Sequence, residues 1–91
     1  MKRNEIYKIL EQSDRWGVNS QPYLEEIADY LERVDKACGL VHLEVLSHAS
    51  IAFRTRSPLT PSLAFELGLM MYDGEPESIR DDQTNFVLWW D

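Results

Sequence analysis

The sequence predicts an α+β fold, an N-terminal antiparallel helical hairpin packed on a C-terminal antiparallel sheet of three or four strands, because its hydrophobic period changes once. Before Gly39 the apolar residues recur every three or four positions, and after it they alternate. The 91 residues fit one domain, since domains run to roughly 100 to 200 residues, so residues 1–91 are read as a single unit.

From Asn4 to Trp16 the residues Ile6, Ile9, Leu10 and Trp16 keep helical spacing, with Asn4 as a possible N-cap and Gly17 as the stop. Glu5 with Lys8 and Glu11 with Arg15 support that helix on its solvated side. The second helix is capped by Ser20 or Gln21, tolerates Pro22 in its first turn, and carries an unbroken stripe of Leu24, Ile27, Ala28, Leu31, Val34 and Cys38 closed by Gly39. Only Gly17 to Gln21 separate the two helices, and so short a connection favours a hairpin.

Val41, Leu43 and Val45 then alternate with His42 and Glu44, and Ile51, Phe53 and Thr55 alternate with Ala52, Arg54 and Arg56. Two strands are expected, joined through Ser47 to Ser50. Leu63 to Tyr72 supports two readings. Thr60, Pro61 and Gly74 frame a helix, whereas Leu63, Phe65, Leu67, Leu69 and Met71 recur with period two, and that alternation favours a strand. Glu75 to Asn85 reads as a long surface loop, and Phe86 to Trp90 as a terminal strand at the sheet edge.

Sixteen Asp and Glu outweigh nine Lys and Arg, for a net charge of −7. A field of that sign repels phosphates and anionic headgroups, so direct nucleic-acid and membrane binding are disfavoured. The single Cys38 has no partner for an internal disulfide, and no basic, apolar and cleavable leader or bilayer-length apolar run is present, so a cytoplasmic location is expected.

Little in the sequence signals chemistry. His42 and Glu44 share one side of a strand and His48 follows in the turn, but the spacing matches no zinc pattern and Cys38 has no CxxC partner, so neither metal nor cofactor is expected. Ser47 and His48 are adjacent and project to opposite sides of a strand, and no GxSxG, GxGxxG or GxxxxGK[ST] string occurs. The expectation is a protein without an active site. The stretch from Pro61 to Gly68, however, resembles the A-F-E-L-G segment of nucleoside 2-deoxyribosyltransferases and TIR-like domains. That resemblance covers eight residues and implies a catalytic Glu66 in a nucleoside- or nucleotide-processing enzyme. Those families hold the segment in a parallel α/β sheet whose opening strand and loop have no counterpart in this sequence. The alternation by itself puts Glu66 on the solvated side of an amphipathic strand.

The acidity is uneven: residues 39–91 hold eight acidic and three basic side chains, a net of −5. Asp73, Glu75, Glu77, Asp81 and Asp82 are opposed only by Arg80, and Glu25, Asp29 and Glu32 fall on one face of the second helix at spacings of four and three. Spaced carboxylates of this kind can imitate a phosphate backbone. Tyr23 and Tyr30 flank the helical stripe, and Trp89 and Trp90 take opposite sides of the last strand, so one tryptophan lies outside the core and could anchor a partner. The leading expectation is a small acidic interaction module, an inhibitor that masks a basic nucleic-acid-binding or nuclease surface of a protein partner. The alternatives are the enzyme-like site around Glu66 and a homodimer formed through an open sheet edge and the terminal tryptophans.

Overall fold

The computed structural model describes residues 1–14, 16–17, 22–47, 50–70, 75–79 and 84–89, with the backbone alone at 47, 75–79 and 89. The fold is α+β, with a helical N-terminal part followed by an antiparallel sheet.

Helix α1 runs over Arg3–Leu10 and buries Ile6 and Leu10. It starts at Lys2, whose N–H donates to the Glu5 carboxylate, and not at Asn4. It is also shorter than the spacing to Trp16 suggests. Ser13 and Asp14 compete with the helix through local backbone hydrogen bonds and favour turns, and Trp16 folds back to donate its indole N–H to the Leu10 carbonyl at 2.8 Å. Trp16 thus satisfies a helix-end acceptor instead of extending the helix.

Helix α2, Leu24–Cys38, buries the expected stripe of Ile27, Ala28, Leu31, Val34 and Cys38, and Tyr30 beside it. Tyr23 is its N-cap residue, and the Glu26 carboxylate accepts from the Tyr23 N–H at 3.1 Å. The other end turns at Gly39, whose φ of 76° suits glycine and whose N–H reaches the Asp35 carbonyl. The Asp35 carboxylate accepts from the Leu40 N–H at 2.9 Å and from the Met1 ammonium at 2.8 Å, so one acid ties the corner to the start of α1.

Strands β1 (Leu40–Ser47) and β2 (Ser50–Thr55) pair antiparallel, as their alternation predicts. Strand β4 (Asn85–Trp89) adds to the far side of β2, and β3 (Glu75–Ile79) to the far side of β4, for the order β1-β2-β4-β3. Two expectations are corrected here. The 75–85 segment is not loop throughout, because β3 lies within it, and the terminal strand is not an edge, because β4 is paired on both sides. Pro76 has no N–H to donate, which is tolerated on an outer strand.

The third correction concerns Pro61–Met70, which is helix α3 and not a strand. Thr60 starts it, accepting from the Leu63 N–H at its hydroxyl and from the Ala64 N–H at its carbonyl, with Pro61 in the first turn. Helices α1 and α2 pack on each other and on β1, and α2 also reaches β2. Ile6, Leu10, Ile27, Leu31, Val34, Ile51, Phe53 and Leu88 form the core, where the Phe53 and Phe86 rings stack with centroids 4.8 Å apart. Among the described residues no helix is long and apolar enough to cross a membrane.

Candidate functional site

The candidate residues fall into three groups, and the fold treats each differently. The first is the row on α2. Residues four and seven apart share a helix face, so Glu25, Asp29 and Glu32 are aligned. Arg3 of α1 reaches across to two of them, with Nη1 at 2.6 Å from Asp29 Oδ1 and 3.2 Å from Glu32 Oε1. Its other terminal nitrogen donates to the Tyr7 hydroxyl, and the guanidinium lies over the Tyr7 ring at 5.1 Å. The bond to Asp29, then that to Tyr7, raises the Arg3 pKa above its ordinary value. Arg3 therefore pairs with two of the three carboxylates and offsets one of their two charges, and Glu25 is exposed at the start of the helix.

The second is Glu66. On α3 its carboxylate faces Arg33 of α2, with Oε2 and Oε1 at 2.6 and 2.5 Å from Nη1 and Nη2, a two-pronged charge-assisted contact. Arg33, through this hydrogen bond first, holds the Glu66 carboxyl below its ordinary pKa. The ionised form is favoured, suited to holding Arg33 rather than to donating a proton. Arg33 also lies 5.9 Å from the centroid of the Tyr30 ring, and the Tyr30 hydroxyl donates to the Leu63 carbonyl at 2.8 Å. Tyr30 is therefore buried between α2 and α3 and not a surface aromatic, while Tyr23 is exposed.

The third group is at the C-terminal side of the sheet. Glu75 and Glu77 occupy alternate positions on β3, in register with Trp89 and Val87 of β4. Asp73, Asp81, Asp82 and Trp90, and with them His48, lie outside the described residues. Register rows alternate between the faces of a sheet, and the row Glu44, Ala52, Val87, Glu77 crosses all four strands. In that row Glu44 is exposed, and Ala52 and Val87 are half-buried.

His42 and Glu44 form the remaining polar pair, Nε2 to Oε1 at 3.4 Å, both about half exposed. They border a shallow depression of about 180 Å³ with Ala52, Arg54, Asn85 and Val87. Among the described residues no three His, Cys, Asp or Glu side chains gather where a metal could be held, and Cys38 is a buried free thiol.

Sequence reasoning overlooked the Tyr30 and Arg33 anchor, for which a tyrosine and an arginine three apart on one helix are no distinguishing signal. It also overlooked the second apolar face of α3. That signal was present: Pro61, Ala64, Phe65, Gly68 and Leu69 stand at i, i+3, i+4, i+7 and i+8. Comparison with protein-family models, with curated proteins and with solved structures finds no match to this chain.

Proposed function

We propose that this chain is a non-enzymatic interaction module that offers carboxylates in place of a phosphate backbone to a basic, nucleic-acid-binding or nuclease surface of a partner protein. The observation that carries the reading is the position of two acids, Glu75 and Glu77, at alternate places on the outer strand of the sheet. Asp73, Asp81 and Asp82 flank that strand in sequence, with Arg80 the one basic residue among them.

Alternate residues of a strand are spaced roughly 6.6 Å apart. Acids at alternate positions therefore form a regularly spaced row of negative charge, as the phosphates of a nucleic-acid strand do. Charge of this sort speeds encounter and selects the sign of the partner more than it deepens affinity. Trp89, in register with Glu75, places an aromatic residue next to the acids, the combination expected of an interface with an anchor and a charged rim.

The test is capture from a lysate rich in nucleic-acid-binding proteins, with wild-type chain and a Glu75→Lys/Glu77→Lys variant as baits. The expected result is a basic protein retained by wild type, displaced by added duplex DNA and lost with the variant. Retention that neither DNA nor the double substitution disturbs would overturn the proposal.

A further inference from the structure

Helix α3 is docked differently from the other two helices. Helices α1 and α2 lie along each other and along β1, whereas among the described residues α3 runs close along no other element. Its apolar seat is Leu63 and Leu67, both 6% exposed, with Met70 at the margin. Its outward residues Phe65 and Leu69 are 70% and 60% exposed and add nothing to the docking.

Two polar ties join α3 to a single turn of α2. The Tyr30 hydroxyl donates to the Leu63 carbonyl, and Arg33, three residues on, holds Glu66 with both terminal nitrogens. Arg33 also lies beside the Tyr30 ring, so the two ties are neighbours. The first is buried. The second pairs side chains that are 50% and 36% exposed, within reach of water and salt.

The helix is also weak in itself. Its ten residues fall short of the roughly 12 to 15 at which an isolated helix becomes even marginal in water. Gly68 lowers its propensity further, and a Cβ at that position would meet no atom within 4 Å, so no close approach in the described structure requires the glycine. Away from its seat α3 does not persist as a helix, and undocking and unwinding are one event.

We propose that α3 is a latch that opens as a unit while α1, α2, β1 and β2 remain folded, with Tyr30 and the Arg33–Glu66 pair as its catch. In the closed state the catch fixes Leu63 and Leu67 on the core. The open state bares the Tyr30 ring and the seat of the two leucines and leaves Arg33 without its carboxylate, so a surface hidden at rest becomes accessible. Opening stays local because Ile6, Leu10, Ile27, Leu31, Val34 and Ile51 belong to elements that pack on one another without α3. The latch lies on α2 and α3 and does not involve the acids of β3, so it stands or falls apart from the proposed function.

Native-state hydrogen exchange, followed residue by residue at increasing sub-denaturing urea, tests it. The amides of α3 are expected to exchange together, faster than those of α2 and with a smaller urea dependence, since opening α3 exposes less surface than global unfolding. Gly68→Ala should slow exchange across α3 by about two- to fivefold, and Glu66→Gln should hasten it by about the same factor. Ile6→Val, in α1, should hasten exchange of α2 by roughly two- to tenfold and leave α3 unchanged, because α1 is folded in both the closed and the open state. Exchange of α3 at the rate and urea slope of α2 would overturn the proposal, as would an Ile6→Val effect equal in α2 and α3. So would α3 exchange that neither Gly68→Ala nor Glu66→Gln alters.

Discussion

Replacing Tyr30 by phenylalanine isolates the contact that seats α3 on α2. The ring is 1% exposed and would remain in place, so the change removes one oxygen and one hydrogen bond, the 2.8 Å donation to the Leu63 carbonyl. Burial, and after it the nearby Glu66 carboxylate, raise the tyrosine pKa, so the hydroxyl is a donor across the whole range in which the protein would be handled. A hydrogen bond of this type is worth about 1 kcal/mol net, because water would otherwise serve both partners. Leu63 O, as a helix carbonyl, can keep its intrahelical partner, so the loss should not exceed that figure by much. For a domain of this length about 1 kcal/mol corresponds to a fall in Tm of roughly 4 to 8 °C. Thermal unfolding followed by circular dichroism gives the shift, and backbone hydrogen exchange should show the largest loss of protection within α3. An unchanged Tm together with unchanged exchange across Pro61–Met70 would refute the assignment of Tyr30 as the anchor of that helix.

Three further expectations follow from the same structure. Leu31 is fully buried, so Leu31→Ala should cost roughly 2 to 5 kcal/mol in urea denaturation, and a loss well below that range would contradict its place in the core. Gly39 has a φ of 76°, and a Cβ there would lie 3.2 Å from that of Arg56, so Gly39→Ala should destabilise by about 1 to 2 kcal/mol in the same assay. At Asp35 burial works to raise the pKa, but the hydrogen bonds from the Met1 ammonium and the Leu40 N–H outweigh it and hold the carboxyl below its ordinary 3.8. A group whose folded pKa lies below its unfolded one stabilises above the unfolded value and loses that contribution as pH falls through the folded value. Asp35→Asn should therefore reduce the stability gap between neutral pH and about pH 3, and an unaltered gap would show that the acid makes no such contribution.

What could be read from the residues followed from how one-sided each element is. Helix α2 has one apolar stripe from Leu24 to Cys38 and a glycine at its end, so its end and buried face were legible, though it starts after Tyr23 and not at Ser20 or Gln21, and β1 and β2 were legible from their alternation. The period fails where an element is apolar on both sides. In α3 the core-facing Leu63 and Leu67 and the outward Phe65 and Leu69 happen to fall on odd positions, with Ala64, Glu66 and Gly68 between them. A helix with two apolar faces thereby imitates a strand, and the framing Thr60 and Pro61 were the better guide. Strand β3 was hidden for the opposite reason, since Glu75, Pro76, Glu77 and Ser78 have low strand propensity and Ile79 alone suggests one. The spacing of Glu25, Asp29 and Glu32 was legible, but the pairing of the last two with Arg3 was not. Arg3 lies twenty-six residues before Asp29, and no local pattern joins them.

The most direct measurement is the association rate with the captured partner, for wild type and for Glu75→Lys/Glu77→Lys, at low and at moderate salt. If the acids of β3 steer the encounter, the double reversal changes the local charge by four, slows association and flattens its salt dependence, with dissociation much less affected. Charge reversal at Glu25 alone, on the helix face where Arg3 holds Asp29 and Glu32, should leave the rate near that of wild type. Equal rates for wild type and the β3 variant at both salt concentrations would contradict the proposed function and reduce the acidic strand to a charged outer edge that keeps the sheet from pairing further.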